Sequence, residues 1–236
     1  MKKAIAKMIR SFAREMVQAR EEFPRKRPAI ALRSELHRRA MIESADLIQR
    51  DFGEAVMCNS RESHLSYAAS KVREGLILEF GVFRGITINQ LAGIFPERQI
   101  NGFDSFLGLP EDWKGFRQSD ENFDRRGVMP TVKSNVKLHQ GWFEETLPVF
   151  MKAASEPVAL AHVDCDIYSS TVTVLDCLAP NLVEGSIVVF DEFFNYPSFK
   201  IHEYKAFYEF VEQYGFKFEF ISYAGHQAAL RILGKG

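Results

Sequence analysis

Leu76-Ile77-Leu78-Glu79-Phe80-Gly81-Val82-Phe83-Arg84-Gly85 decides the fold of this 236-residue chain. An apolar run breaks at glycines and gives way to a helix-like segment, and nineteen residues after Gly85 a second apolar run, Ile100-Asn101-Gly102-Phe103, ends in Asp104. A strand, a glycine turn, a helix and a second strand tipped with a carboxylate make the layout of a nucleoside-cofactor pocket, the carboxylate facing a ribose.

Outward from this unit the pattern alternates. Strands are expected at 76–80, 99–103, 135–140, 158–163 and 186–190, and helices at 61–73, 86–95, 144–154, 169–180 and 201–214. Such alternation predicts right-handed crossovers and a parallel sheet covered on both faces. The end of the chain departs from it: 217–223 and 227–233 are strand-like, and the three residues between them are too few for a helical crossover. They are expected to form an antiparallel hairpin. The fold class expected is α/β, and a terminal hairpin closing a seven-stranded, mainly parallel sheet of order 3-2-1-4-5-7-6 resembles that of Rossmann-like class I methyltransferases. Glu-x-Gly-x-x-x-Gly is also not the Gly-x-Gly-x-x-Gly of pyrophosphate binders, which disfavours a nicotinamide oxidoreductase.

Composition limits what the pocket belongs to. Residues 1–40 hold twelve Lys/Arg against four Glu, leaving eighteen basic against twenty-seven acidic residues in the remainder. An acidic body argues against a nucleic-acid substrate. Helices at 1–22 and 29–50 flank Pro24-Arg25-Lys26-Arg27-Pro28, a poor helix interior. Residues 1–60 read as a helical extension, suited to a homo-oligomer contact, and 61–236 as the catalytic domain. Three irregularly spaced cysteines give no disulfide framework, and no stretch reaches the roughly twenty apolar residues of a membrane span. A cytoplasmic protein is the expectation.

Gly81 and Gly85 let backbone pass close under a ligand, and the following helix N-terminus offers free N–H groups to a carboxylate. Glu79 is expected to face the amino group of the same ligand. Two strand ends carry paired acids, Asp164-Cys165-Asp166 and Asp191-Glu192. Acids at i and i+2 share a side of a strand, and adjacent strands lie about 4.8 Å apart. Four carboxylates so close require a cation or protons. Mg²⁺ suits such oxygen ligands. His162, inside a strand, reads as core, and His202 as an alternative base. The long segment 105–134, with Trp113, Arg117, Arg125 and Arg126, reads as a substrate lid.

Residues 79–85, Asp104-Ser105-Phe106-Leu107-Gly108-Leu109-Pro110, Gly141-Trp142-Phe143-Glu144-Glu145-Thr146-Leu147-Pro148 and Asp164-Cys165-Asp166-Ile167-Tyr168-Ser169-Ser170-Thr171 together resemble the macrocin O-methyltransferase family. The resemblance implies S-adenosylmethionine (SAM) as methyl donor, a hydroxyl of a sugar or glycosylated metabolite as acceptor, and a divalent metal such as Mg²⁺. It implies Asp164, Asp191 and Glu192 as metal ligands, with Glu192 standing where the family pattern has Asp, and Asp166 as general base with Asp164 beside it. Ser105, Gly141, Trp142, Phe143 and Asp164 would complete the cofactor wall with Glu79, Gly81, Gly85 and Asp104. A methyltransferase-like module that binds SAM or a partner without catalysis is the alternative.

Overall fold

Helix α1 (Pro28–Asp51) leads into strand β1 (Val56–Met57) and helix α2 (Arg61–Ala69); then follow β2 (Leu76–Phe80), α3 (Ile86–Ile94), β3 (Ile100–Asp104), β4 (Val136–Gln140), α4 (Phe143–Ala153), β5 (Val158–Val163), α5 (Tyr168–Leu178) and β6 (Ile187–Phe190). A short 3₁₀ turn (Phe199–Ile201), α6 (Glu203–Tyr214), β7 (Phe216–Ala224) and β8 (Gln227–Lys235) complete the chain. This computed structural model describes residues 9, 12–16, 28–111, 113 and 123–236. Most of the helix expected at 1–22 lies outside the described residues, as does Arg117 of the expected lid; residues 9 and 12–16 are helical.

The sheet runs β1-β7-β8-β6-β5-β2-β3-β4. From β4 to β7 this is the expected order, parallel except where β8 runs against β6 and β7. The count differs from expectation: there are eight strands, because Val56 and Met57 pair in parallel with Ser222 and Tyr223 of β7. Two residues carry no alternation to read, yet they cover an edge that would otherwise present unpaired N–H and C=O groups.

Adjacent residues in the buried strands go to opposite faces. Ile77, Leu160 and Ile187 pack with α2 and α3, while Leu78, Ala161 and Val188 pack in the larger core with α4, α5 and α6. Ala40, Leu47 and Phe52 belong to that larger core too, with Phe52 stacked on Phe220 at 3.9 Å. The Ser44 hydroxyl accepts the Asn195 N–H at 2.8 Å. Part of the segment that sequence assigns to an extension thus packs against the body, because α1 presents the small or apolar Ala40, Ser44 and Leu47 on one face. The first half of α1 leaves Leu32 and Leu36 exposed. Among the described residues no helix is long and apolar enough to cross a membrane.

Candidate active site

The carboxyl ends of β2, β3, β5 and β6 open on one cavity of about 430 Å³, the crevice where open α/β sheets bind ligands. Its wall includes Gly81, Asp104, Ser105, Gly141, Trp142, Phe143, Asp164, Asp166, Asp191 and Glu192, so most residues singled out by sequence meet there.

At Gly81 (φ +88°) a Cβ would collide with the carbonyl oxygen of Asp164, so the loop after β2 lies directly against the loop after β5. Gly85 (φ +77°) starts α3 in the left-handed region. Between them Phe83 is left-handed at φ +47° without being glycine, and so is Phe106 at +57°. Asp104 holds both: Oδ2 accepts the N–H groups of Val82 and Phe83, each at 2.8 Å, and Oδ1 accepts that of Phe106 at 2.6 Å. The carboxylate expected to face a ribose is also the staple of the glycine loop. Ser105 likewise serves its own turn, its Oγ accepting the Leu107 N–H at 3.0 Å. Phe106 is buried in the core rather than on the cavity wall.

Glu79 sits apart from the other candidates. It is fully buried beneath the loop and does not reach the cavity wall. Thr87 Oγ1 donates to its Oε1 at 3.0 Å and His162 Nδ1 sits 3.1 Å from its Oε2. Side chains of central parallel strands face helices, not the crevice, so Glu79 supports the loop from below.

Asp164 and Asp191 each extend their strand's ladder by one bond, Asp164 N–H to Phe80 O and Asp191 N–H to Val163 O. Strand alternation is not what brings Asp166 to Asp164, since β5 ends at Val163; a left-handed turn at Asp166 (φ +63°) does. Such strain in a non-glycine residue clusters at functional sites.

The positive charge that the crowding demands comes partly from the chain itself. Arg61, on the first turn of α2, donates from Nη2 to Asp164 Oδ2 at 2.6 Å and from Nε to Asp191 Oδ1 at 2.8 Å. Gln227 Nε2 donates to the same Asp191 oxygen at 2.8 Å, and His162 Nε2 lies 3.8 Å from it. Burial alone would lower the His162 pKa, but its hydrogen bonds to Asp191 and Glu79 outweigh burial and push it up to about 10. Burial would raise Asp191, yet His162 and Arg61 hold it below the usual carboxylate range.

Among the described residues, the other half of the knot has a single side-chain donor, Arg61 at Asp164. Burial and the charge of Asp191 push Asp164 up to about 7 against the pull of Arg61. Asp166, Glu192 and Glu203 are driven well above the ordinary range, first by burial and then by the charges of Asp164 and Asp191. Glu203 Oε2 accepts the Glu192 N–H at 3.0 Å. Glu192 Oε2 and Glu203 Oε1 are shut off from solvent, with no hydrogen-bond partner among the described residues. Oxygens of Asp164, Asp166 and Glu192 lie within 4.8 Å of one another, a spacing that suits one cation. A second grouping, His162 with Asp164 and Asp191, is similarly tight. There the Asp191 oxygen already accepts from Arg61 and Gln227, which leaves the all-carboxylate grouping of Asp164, Asp166 and Glu192 the more open of the two.

Arg61, His162, Gln227 and Glu203 were not foreseen in these roles. His202 caps α6, buried beside Trp113 and off the cavity wall. In the expected lid, Trp113 and Phe123 line the cavity, whereas Arg125 donates to Val128 O and neither it nor Arg126 reaches the wall.

Residues 7–214 match the profile of the macrocin O-methyltransferase (TylF) family. The demethyldecarbamoylnovobiocin O-methyltransferase of Streptomyces niveus is 26% identical over 163 residues, 59% of this chain and 61% of that protein. The mycinamicin III 3''-O-methyltransferase of Micromonospora griseorubida is 28% identical over 165 residues, 58% and 63% of the two chains. The chain thus spans about three fifths of these relatives' length. The calicheamicin methyltransferase CalS11 superposes with a TM-score of 0.54 at 26% identity, over 70% of this chain and 75% of that one. The O-methyltransferase NovP shares the fold, with a TM-score of 0.53 at 22% identity over 72% and 78%. With its glycine loop, its sheet order and most of its length accounted for, the chain belongs to the macrocin O-methyltransferase family.

Proposed function

We propose that the chain transfers the methyl group of SAM to a hydroxyl of a sugar or glycosylated small molecule, with a divalent cation such as Mg²⁺ held by Asp164, Asp166 and Glu192. One observation carries this reading: those three carboxylates open onto the same cavity as the glycine loop. The relatives support it: they are O-methyltransferases, one of Streptomyces olivaceus acts on a rhamnosyl-tetracenomycin, and CalS11 is a TDP-rhamnose 3'-O-methyltransferase. The donor set suits the cation: three hard oxygens, with the buried Glu192 Oε2 left unpartnered by protein. Bound there, such a cation neutralises the crowded acids and makes a nearby hydroxyl more acidic.

The chain's own groups do the rest. Asp166 takes the acceptor's proton, while the acceptor oxygen forms its bond to the methyl carbon and the carbon–sulfur bond of the sulfonium breaks. The N-terminus of α3 and the backbone at Gly81 and Gly85 receive the amino-acid end of SAM. Trp142 and Phe143 flank the adenine, and Asp104 keeps the loop in shape for all of them. His162 and Arg61 lock Asp191, which fixes the floor of the site. The exposed Leu32 and Leu36 on α1 support a subunit contact through the N-terminal helices.

Calorimetric titration with S-adenosylhomocysteine (SAH) and NAD⁺, followed by a screen of glycosylated and nucleotide-linked sugars read by methyl mass gain, tests the proposal. SAH binding with methyl transfer that stops in excess EDTA is expected. Tight NAD⁺ binding without SAH binding would overturn the reading, and turnover that survives EDTA would remove the cation from it.

A further inference from the structure

Arg61 stands where two claims on one carboxylate meet. Its guanidinium bridges Asp164 and Asp191, but the two bonds are unequal in consequence. Without Arg61, Asp191 keeps Gln227 and His162. Asp164, among the described residues, has no other side-chain donor, and it is the acid that belongs to both groupings of convergent ligands. Whatever satisfies Asp164 is therefore either Arg61 or a cation between Asp164, Asp166 and Glu192. Two positive charges on one side of Asp164 repel one another, so each weakens the other's hold.

The arginine is built to let go. Its backbone sits on the first turn of α2, secured by the Ser60 capping box, while its side chain is 46% exposed and lines the cavity. The guanidinium can withdraw from Asp164 without disturbing a packed core. We propose that Arg61 is a displaceable internal counter-cation that competes with the divalent metal for Asp164 and so sets how readily the site loads. The proposal rests on the reading of Asp164, Asp166 and Glu192 as a cation site.

Mn²⁺ binding to the full chain, followed by calorimetry and by the electron spin resonance of free Mn²⁺, tests it with no acceptor present. Arg61→Met, which keeps the aliphatic stem but not the charge, is expected to bind Mn²⁺ at least tenfold more tightly than the unaltered chain. Arg61→Lys, whose single ammonium cannot span both acids as the fork does, is expected to fall between them. In EDTA both variants should melt at lower temperature, and Mn²⁺ should recover more of the melting temperature in Arg61→Met than it adds to the unaltered chain. A folded Arg61→Met or Arg61→Lys with equal or weaker Mn²⁺ affinity would overturn the proposal. Absence of Mn²⁺ binding in every form would overturn it through the cation reading itself if SAH still binds, and through the methyltransferase reading if SAH binding is absent as well.

Discussion

His162 Nδ1 lies 3.1 Å from Glu79 Oε2 across neighbouring parallel strands, with the two side chains 2% and 0% exposed. They are register partners in the pairing of β2 with β5. Two polar residues set into apolar strands thus meet as an ion pair directly under the glycine loop. Removing one member of a buried pair leaves the other charge unmatched, at about 3–5 kcal/mol. His162→Gln should accordingly lower the stability of the chain by that amount in urea unfolding. Glu79→Gln should do much the same. If either unfolds at an unchanged urea midpoint, the pair does not carry this charge.

The neighbouring His64 behaves oppositely. It is 1% exposed on α2, and burial lowers its pKa to about 4, despite a hydrogen bond to the Ser222 backbone and helped by repulsion from His162. A histidine with a depressed folded pKa is stabilising when neutral, above the unfolded value of about 6.5, and the folded state loses ground as pH falls from there toward 4. The loss should total about 3 kcal/mol across this window. His64→Leu should flatten the pH dependence of urea midpoints between pH 6.5 and 4 relative to the unaltered chain. Identical slopes in the two proteins would sink the assignment.

Asp104 is expected to matter with or without a ligand. It accepts three backbone N–H groups, two of them from the glycine loop, and bonds to a charged acceptor contribute about 1.5–3 kcal/mol each. Asp104→Ala should weaken SAH binding at least tenfold and also lower the ligand-free melting temperature, since Phe83 and Phe106 then keep left-handed backbones without support. A variant that loses SAH affinity with an unchanged ligand-free melt would make Asp104 a ribose ligand only.

Asp166→Asn tests both roles given to Asp166, proton removal and a share of the cation, without backbone strain, because asparagine tolerates the left-handed backbone that Asp166 adopts at φ +63°. Turnover should fall by about 10²–10⁴-fold with SAH affinity kept. Asp166→Ala would confound lost chemistry with backbone strain. Retention of most of the turnover in the asparagine variant would pass the base role to another group.

The sheet was legible because its central strands are unbroken apolar runs ended by acids: β5 is buried at every position, as is β6, and both stop where Asp164 and Asp191 begin. The hairpin was legible from a loop too short for a helix. What escaped notice depended on contacts between distant segments. Arg61 meets Asp164 across 103 residues, and an arginine after a serine cap looks like any helix start. His162 was read as core from its place inside a strand, which is correct for its burial and silent about its charge. A signal did exist: Glu79 and His162 each interrupt an apolar run at positions that parallel pairing brings side by side. Glu79 lies off the cavity wall because a residue near a glycine loop in sequence need not face the loop's cavity. Asp166 reached its expected neighbour for a different reason than expected, a left-handed turn that no periodicity reveals.

Glu192 gives the sharpest separation of a functional carboxylate from a structural one, because its two effects run in opposite directions. Its Oε2 is buried without a partner among the described residues, and its neighbours Asp191, Asp164 and Asp166 all disfavour its charge. Glutamine occupies nearly the same volume and removes that repulsion. In EDTA, Glu192→Gln should therefore be more stable than the unaltered chain by about 1–2 kcal/mol, consistent with relief of an unmatched buried acid. A cation held by Asp164, Asp166 and Glu192 would in turn lose one of its three anionic ligands, so Mn²⁺ affinity should fall at least tenfold while SAH affinity stays the same. A carboxylate kept only for packing would change neither quantity, and one kept only for stability would lower the first and leave the second alone. A more stable chain with undiminished Mn²⁺ binding would exclude Glu192 from the ligand set and leave Asp164 and Asp166 to hold the cation by themselves.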